Sequence, residues 1–115
     1  MDTKWEKISR EHIDEDLLRE AGEIIRRGGL VAFPTETVYG LGGDALNPES
    51  SRKIYSAKGR PSDNPLIVHI ADLQDLDKIV SHIPKAAEAL AKHFWPGPLT
   101  MIFSKNEAVP YETTG

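Results

Sequence analysis

The residues best suited to bind an anion lie in segment 58–64, which reads KGRPSDN. Lys58, Arg60, Ser62 and Asn64 alternate there, and alternate residues of extended backbone point the same way. Two cations, a hydroxyl and an amide converging on one ligand suit phosphate oxygens, because hydrogen bonds to charged groups are strong. Flanking prolines would stiffen the loop. Taken alone, these residue types fit a solvated surface turn somewhat better, so both interpretations stay open.

A second candidate is the loop of residues 34–43, PTETVYGLGG. It follows an apolar segment at the end where α/β folds place ligands. Thr35, Thr37 and Tyr39 offer hydroxyls at alternate positions, and the glycines would let a ligand approach the backbone. The loop matches neither the dinucleotide fingerprint nor the P-loop pattern. A simple β-turn between strands is an equal alternative.

Single residues give weaker signals. His69 lies in an apolar segment, where a lone histidine is more often structural, although it follows the 58–64 loop by only five residues. Glu36 could act as a general base or metal ligand, but a solvated carboxylate fits it better. Segment 95–98, WPGP, predicts a stiff turn anchored by Trp95, and Thr100 just after it is a candidate ligand contact. The remaining histidines, which show no metal-binding spacing, are predicted at the surface: His12, His82 and His93.

The elements that must position these residues follow the rhythm of an α/β protein. Helical periodicity and capping signals predict helices over residues 14–27, 47–58, 73–80 and 85–94. Short apolar runs predict strands over residues 30–33, 66–70 and 99–103. In the 85–94 helix, Ala87, Leu90, Ala91 and Phe94 are expected to face inward. After Ser104 the chain turns polar, and a loop with no closing element is expected.

Composition narrows the class of protein. The chain has 115 residues, with 14 Lys plus Arg against 18 Asp plus Glu, a formal net charge of −4. That balance argues against a domain devoted to non-specific nucleic-acid binding, although a local basic patch stays possible. The absence of cysteine excludes disulfides and thiolate metal sites. No signal-peptide run or membrane-length apolar stretch is found, so no membrane association and a cytoplasmic location are expected.

Three segments together carry a resemblance to a known family. They are residues 33–41 (FPTETVYGL), 58–66 (KGRPSDNPL) and 95–100 (WPGPLT). In order and spacing they resemble the YrdC family of threonylcarbamoyl-AMP synthases, over nearly the whole chain. The joint pattern is far more specific than either loop alone. The resemblance implies an α/β, YrdC-like twisted mixed sheet with flanking helices.

The resemblance also implies a nucleotidyltransferase reaction. Such enzymes join L-threonine, bicarbonate and ATP into threonylcarbamoyl-AMP and release pyrophosphate, for N6-threonylcarbamoyladenosine modification of tRNA by a downstream threonylcarbamoyl-transferase complex. Mg²⁺ is expected with ATP, bound mainly through phosphates and waters. No catalytic nucleophile or protein metal ligand is implied, so positioning and charge neutralisation would be the protein's task. By the motif match, Lys58, Arg60, Ser62 and Asn64 would hold the ATP phosphates, and Thr35, Thr37 and His69 would form the threonine site.

The chain departs from the family beyond its last residues, because members continue with more strands and further ligand-contacting residues. Residues 1–115 are therefore expected to be a single partial, truncated domain, of uncertain activity alone. Two alternatives stay open. One is a double-stranded RNA or tRNA-binding module of the same fold, which the acidic net charge disfavours. The other is the carbamoyl-transfer module of hydrogenase maturation proteins, which would follow acylphosphatase and zinc-finger segments.

Overall fold

The computed structural model describes residues 2–59, 61 and 64–115. Within those residues the chain forms several helices and a small sheet of two antiparallel strands, and the first helix packs against the first strand. The elements in chain order are α1 (Glu15–Arg26), β1 (Val31–Phe33), β2 (Gly40–Gly42), α2 (Pro48–Lys58), a 3₁₀ helix (Leu73–Lys78), α3 (Lys85–Phe94) and α4 (Tyr111–Thr114). No helix in this described part is long and apolar enough to cross a membrane.

Helix α1 forms where its capping signals predict it. The Asp14 side chain accepts hydrogen bonds from the backbone N–H groups of Asp16 and Leu17 at 3.0 and 3.2 Å. These bonds satisfy donors that the first helical turn cannot pair internally. The helix ends at Arg26, and Gly28 adopts a φ of +87° that favours glycine.

The segment before α1 returns to that helix through an exposed ion pair. The Lys4 ammonium donates to the Glu20 carboxylate at 2.5 Å. This hydrogen bond raises the pKa of Lys4 above its ordinary value. Both side chains are about half exposed, so solvent screens the pair and its contribution to stability is small.

Strands β1 and β2 form a hairpin whose glycines make room for an aromatic ring. Phe33 pairs with Gly40, and Val31 pairs with Gly42. A Cβ at Gly42 would lie 2.9 Å from Cε1 of Phe33, and one at Gly40 would lie 3.0 Å from its Cζ. The close approach that these glycines permit is thus, in this structure, the approach of the chain's own ring.

Helix α2 is the best-buried helix of the described chain. The Asn47 side chain accepts from the Glu49 N–H at 3.0 Å, and Pro48 occupies the first turn, as the sequence predicts. Gly59 ends the helix with a φ of +62°. Four α2 residues are buried, namely Ser50, Ser51, Ile54 and Tyr55. Helix α2 is therefore the rigid element from which the 58–64 loop departs.

The predicted strands at 66–70 and 99–103 do not form strands in the described structure, which contradicts the larger mixed sheet expected there. Both segments keep a strand-like alternation of burial: Leu66, Val68 and Ile70 are half-buried, whereas Ile67 and His69 are exposed. A strand also needs hydrogen bonds to a neighbour, and neither segment has a ladder partner among the described residues. The nearest β pairing is one isolated bridge between Val80 and Lys105.

Helix α3 buries less of its predicted inner face than expected. Ala91 is 2% exposed, but Leu90 is 44% exposed and Phe94 is 56% exposed. The prediction that Leu90 and Phe94 face inward is wrong. These two side chains line a shallow depression with Pro98 and Leu99, and no described element covers it.

The expected open loop after Ser104 is also wrong, because α4 closes the described chain against α2. The Thr113 side chain is 1% exposed, and its hydroxyl donates to the Ala45 carbonyl at 2.7 Å and lies 2.7 Å from the Ser51 hydroxyl. The Thr113 carbonyl accepts from the Leu66 N–H at 3.0 Å. One buried residue thus connects α2, the turn before it and the start of segment 66–70.

Candidate functional site

The 58–64 loop leaves α2 at an exposed corner. Lys58 is the last residue of the helix, and its side chain is exposed to solvent. Gly59 then reverses the backbone in a left-handed conformation that residues with a Cβ rarely adopt. The predicted ligands Arg60 and Ser62 lie outside the described residues. The structure therefore locates the first and last of the four predicted phosphate-binding residues.

The far end of the loop is tied back to α2. Asn64 is exposed, and its N–H donates to the Pro61 carbonyl at 3.1 Å, which closes a turn. The Tyr55 hydroxyl, carried by α2, donates to the Asn64 carbonyl at 2.5 Å. Lys58 and Asn64 thus lie at the two ends of one short loop, and their role as phosphate ligands stays a prediction. Both side chains are free to face a ligand from solvent.

The predicted threonine-site hydroxyls lie in the connection between β1 and β2. Thr35 and Thr37 are exposed, and their hydroxyl oxygens are 3.5 Å apart. The Thr35 hydroxyl donates to the Val38 carbonyl and accepts from the Thr37 N–H at 3.3 Å. The two hydroxyls are therefore held on the same side of one tight turn. The alternative interpretation, a turn between strands, is confirmed, since β1 and β2 flank this connection.

His69 belongs to no candidate metal-binding group among the described residues. Its ring is exposed, and Nδ1 is 3.1 Å from the Ile67 carbonyl oxygen. A donating Nδ1 would leave Nε2 as the acceptor that faces outward. Among the described residues there is no group of three His, Asp or Glu that could hold a metal ion. Glu36 is exposed in its loop, as a solvated carboxylate would be.

A cavity of about 920 Å³ separates segments 65–73 and 95–103. Its lining is mainly apolar, with His69 and Thr100 among the polar contributors. The Trp95 indole N–H donates to the Leu99 carbonyl at 2.8 Å across the WPGP turn, so Trp95 closes this turn as predicted. Lys58, Thr35 and Thr37 do not line the cavity. The cavity is therefore a gap between two apolar segments, distinct from the charged corner at Lys58.

Two residues that matter to the site geometry escape a reading of the sequence. Tyr55 reads there only as an apolar position of a helix, yet its hydroxyl holds the loop end. Thr113 lies in what reads as a polar tail, yet it holds Leu66 two residues after the loop. The one available signal was Pro110 before Tyr111-Glu112, since a proline followed by an acidic residue is typical of a helix start.

The described part of the chain is a helical α/β unit with a positively charged corner after α2 and a hydroxyl-bearing hairpin connection. A family model described as "Telomere recombination" matches residues 23–115. The chain belongs to this family, Sua5/YciO/YrdC. The resemblance on which the sequence analysis rests is confirmed.

Relatives at high identity carry one name. The chain is 56% identical over 106 residues to the threonylcarbamoyl-AMP synthase of Pyrococcus abyssi, which covers 92% of this chain and 31% of that protein. It is 55% identical over 85 residues to the Bacillus subtilis enzyme of that name, covering 74% of this chain and 25% of the relative. A Cellvibrio japonicus enzyme of the same name is 32% identical over 83% of this chain and 50% of its own length.

Solved structures give the same fold. A double variant of P. abyssi Sua5 superposes with a TM-score of 0.88 at 56% identity, covering 92% of this chain and 32% of that one. P. abyssi Sua5 complexed with L-threonine superposes with a TM-score of 0.85 at 54% identity, covering 89% and 30%. The fold is thus Sua5/YrdC-like, and the chain spans about a third of the length of these relatives.

Proposed function

We propose that this chain provides the ATP-phosphate loop and part of the threonine site of a threonylcarbamoyl-AMP synthase, as one partial domain of that enzyme. The observation that carries the proposal is 56% identity across 92% of the chain to an enzyme of that name, with a TM-score of 0.88 to its fold. The exposed corner at Lys58 and the paired hydroxyls of Thr35 and Thr37 supply matching chemistry.

The proposed reaction needs positioning more than a protein nucleophile. The amine of L-threonine attacks the carbon of bicarbonate or carbon dioxide, which gives a carbamate; from bicarbonate, water is lost. A carbamate oxygen then attacks the α-phosphorus of ATP and breaks the bond to pyrophosphate. In this proposal Lys58, Arg60, Ser62 and Asn64 neutralise and orient the phosphates, where preorganised charge is most effective.

The threonine side of the site is proposed on the hairpin connection and on segment 66–70. The complex of P. abyssi Sua5 with L-threonine supports a threonine substrate for this chain. Thr35 and Thr37 offer hydroxyls held in one turn, and the outward Nε2 of His69 offers a further polar group. We propose these three residues as the threonine contacts.

Mg²⁺ would accompany ATP in this proposal. Mg²⁺ keeps several waters and is usually held by one or two carboxylates with substrate phosphates. We propose that the product passes to a tRNA-modifying threonylcarbamoyl-transferase complex and that the reaction takes place in the cytoplasm.

ATP binding to this chain tests the phosphate loop. Arg60→Ala and Lys58→Ala are each expected to weaken ATP binding on the order of tenfold, because each removes a charge-assisted hydrogen bond. Lys85→Ala, an exposed cation on α3, is the matched control and should bind ATP as the unsubstituted chain does. Isothermal titration calorimetry measures all four. Equal affinities across the set would contradict the assignment.

Synthesis tests the reaction. Pyrophosphate release from ATP should require both L-threonine and bicarbonate, measured with a coupled pyrophosphate assay on a protein that contains this chain within a full-length synthase. Pyrophosphate release in the absence of either substrate would contradict the proposed reaction.

Double-stranded RNA binding is the alternative function. Arg60→Ala would then weaken RNA binding and ATP binding equally, with a strong dependence on salt. The formal net charge of −4 does not favour that outcome.

A further inference from the structure

Tyr55, a buried residue of α2, contacts both described ends of the 58–64 loop. Tyr55 is 7% exposed and lies one turn before the end of α2. Its backbone carbonyl accepts from the Gly59 N–H at the start of the loop, and its hydroxyl donates to the Asn64 carbonyl at the end. A single residue therefore contacts both ends of the loop, Gly59 and Asn64.

The hydroxyl bond is short and partly buried. The donor–acceptor distance is 2.5 Å, at the short limit for an O–H···O hydrogen bond. Because the ring is buried in α2, the hydroxyl cannot move without moving the helix, whose packing fixes the ring. The Asn64 carbonyl is thus held against a rigid element rather than against another loop.

A second tie lies two residues further along. The Leu66 N–H donates to the Thr113 carbonyl at 3.0 Å, and the Thr113 hydroxyl is 2.7 Å from that of Ser51 on α2. Asn64 and Leu66 are therefore both fastened, directly or through α4, to the same helix. Gly59 and Asn64, the described residues at the ends of the loop, are therefore both bonded to α2.

We infer that Tyr55 is a positioning residue for phosphate binding, an inference that rests on the proposed function of the 58–64 loop. By fixing the Asn64 carbonyl, Tyr55 sets the separation of Lys58 and Asn64 and reduces the ordering cost that ATP must meet on binding. Ligand sites gain affinity when their supporting groups are held before the ligand arrives.

Tyr55→Phe is the direct test, because it keeps the buried ring and removes only the hydroxyl. We expect Tyr55→Phe to weaken Mg·ATP binding by about three- to tenfold, which corresponds to the net value of one hydrogen bond. Backbone amide exchange at Asn64 should become faster, since the turn that protects it loses its anchor. Calorimetry gives the affinity, and hydrogen-exchange NMR gives the local protection.

Ser50→Ala is the matched control, because it removes a buried hydroxyl from the same helix at its opposite end. Ser50 is 0% exposed and its hydroxyl donates to the Gly28 carbonyl at 3.4 Å, far from the loop. ATP affinity and Asn64 exchange should be unchanged in Ser50→Ala. An equal loss of affinity in Ser50→Ala and Tyr55→Phe would mean a general loss of stability and would overturn the inference.

The two levels of the proposal fail differently. If the unsubstituted protein binds ATP and Tyr55→Phe binds it equally well, the positioning role is overturned and the phosphate loop stands. Unchanged Asn64 exchange in Tyr55→Phe also overturns the positioning role. If the unsubstituted protein does not bind ATP, the proposed function of the loop is overturned, and the role of Tyr55 with it.

Discussion

At the scale of single residues, the hairpin shows how an aromatic ring dictates its neighbours. The Phe33 ring lies over Gly40 and Gly42, where added Cβ atoms would fall 3.0 and 2.9 Å from ring carbons. Glycine is therefore required there by packing, since neither position has a positive φ. The ring also fixes the register that holds the Thr35–Thr37 turn between β1 and β2.

Gly42→Ala is expected to lower the free energy of unfolding by about 1–3 kcal/mol, because the ring of Phe33 must move to admit the methyl group. Gly22→Ala is the matched control. Nothing lies within 4 Å of a Cβ at Gly22 in α1, so this change should stabilise by roughly 0.5–1 kcal/mol. Urea unfolding followed by circular dichroism measures both.

A double-mutant cycle tests whether the Phe33 ring is the reason that Gly42→Ala lowers the free energy of unfolding. In a Phe33→Leu background the ring carbons are gone, so Gly42→Ala should cost less than it does alone. A coupling energy of about 0.5 kcal/mol or more is expected for residues in contact. Strict additivity would show that the ring is not what excludes a side chain at Gly42.

Residue types alone predict some contacts of this candidate site and not others. The sequence predicted Lys58, Asn64 and the two threonines as ligand contacts, because charge and hydroxyl spacing are visible in one dimension, and these assignments stay predictions. It assigned the glycines to ligand approach, because the partner of a glycine is known only in three dimensions. The Tyr55 hydroxyl bond joins residues nine apart through the geometry of a helix end, which periodicity cannot show.

At the scale of elements, the short helix α4 joins more parts of the chain than its four residues suggest. Its Thr113 joins the Ser51 hydroxyl, the Ala45 carbonyl and the Leu66 N–H. Arg52 of α2 adds an ion pair to Glu112 at 2.9 Å. The sequence did not predict this helix because its capping residue, Pro110, makes no side-chain hydrogen bond, and because four residues are too few for periodicity.

Thr113→Val should lower the free energy of unfolding by about 1–3 kcal/mol, because it leaves buried polar groups of Ser51 and Ala45 without their partner. Thr114→Val is the control, since Thr114 is only half-buried and lies next in the chain. Chemical denaturation of the two variants under the same conditions measures the difference. Equal losses of unfolding free energy in the two variants would contradict the proposal that the hydrogen bonds of Thr113 stabilise the fold.

At the scale of the whole molecule, the described chain exposes more surface than its length requires. Its accessible area is 9145 Å², whereas a compact monomer of 12.8 kDa exposes about 6,300 Å². The radius of gyration is 15.2 Å, against about 13 Å for a compact domain of this length. The excess fits the open cavity between segments 65–73 and 95–103 and the 98% exposure of Ile102.

The fold predicted from the sequence is correct where elements find partners inside the chain and wrong where they do not. Helices α1, α2 and α3 and strand β1 formed near their expected bounds, because caps and local periodicity define them. Segments 66–70 and 99–103 have the alternation of strands, but pairing depends on neighbours that a local pattern does not specify. Sheet size was therefore the least predictable feature.

Local stability against opening is accordingly expected to be high in α2 and low in residues 67–70 and 99–103. The N–H groups of α2 are bonded within a buried helix, whereas those of residues 67–70 and 99–103 donate to no other described residue. Native-state hydrogen exchange should therefore be slow at Ile54 and Tyr55 and fast at Val68 and Met101, despite the half-burial of the latter two side chains. Unstructured-peptide rates for the same sequence provide the reference.

Repeating the exchange measurement at a tenfold higher protein concentration distinguishes two sources of any protection found at residues 99–103. Protection at residues 99–103 that grows with concentration would come from pairing between copies, and protection independent of concentration would contradict the open arrangement described for this half.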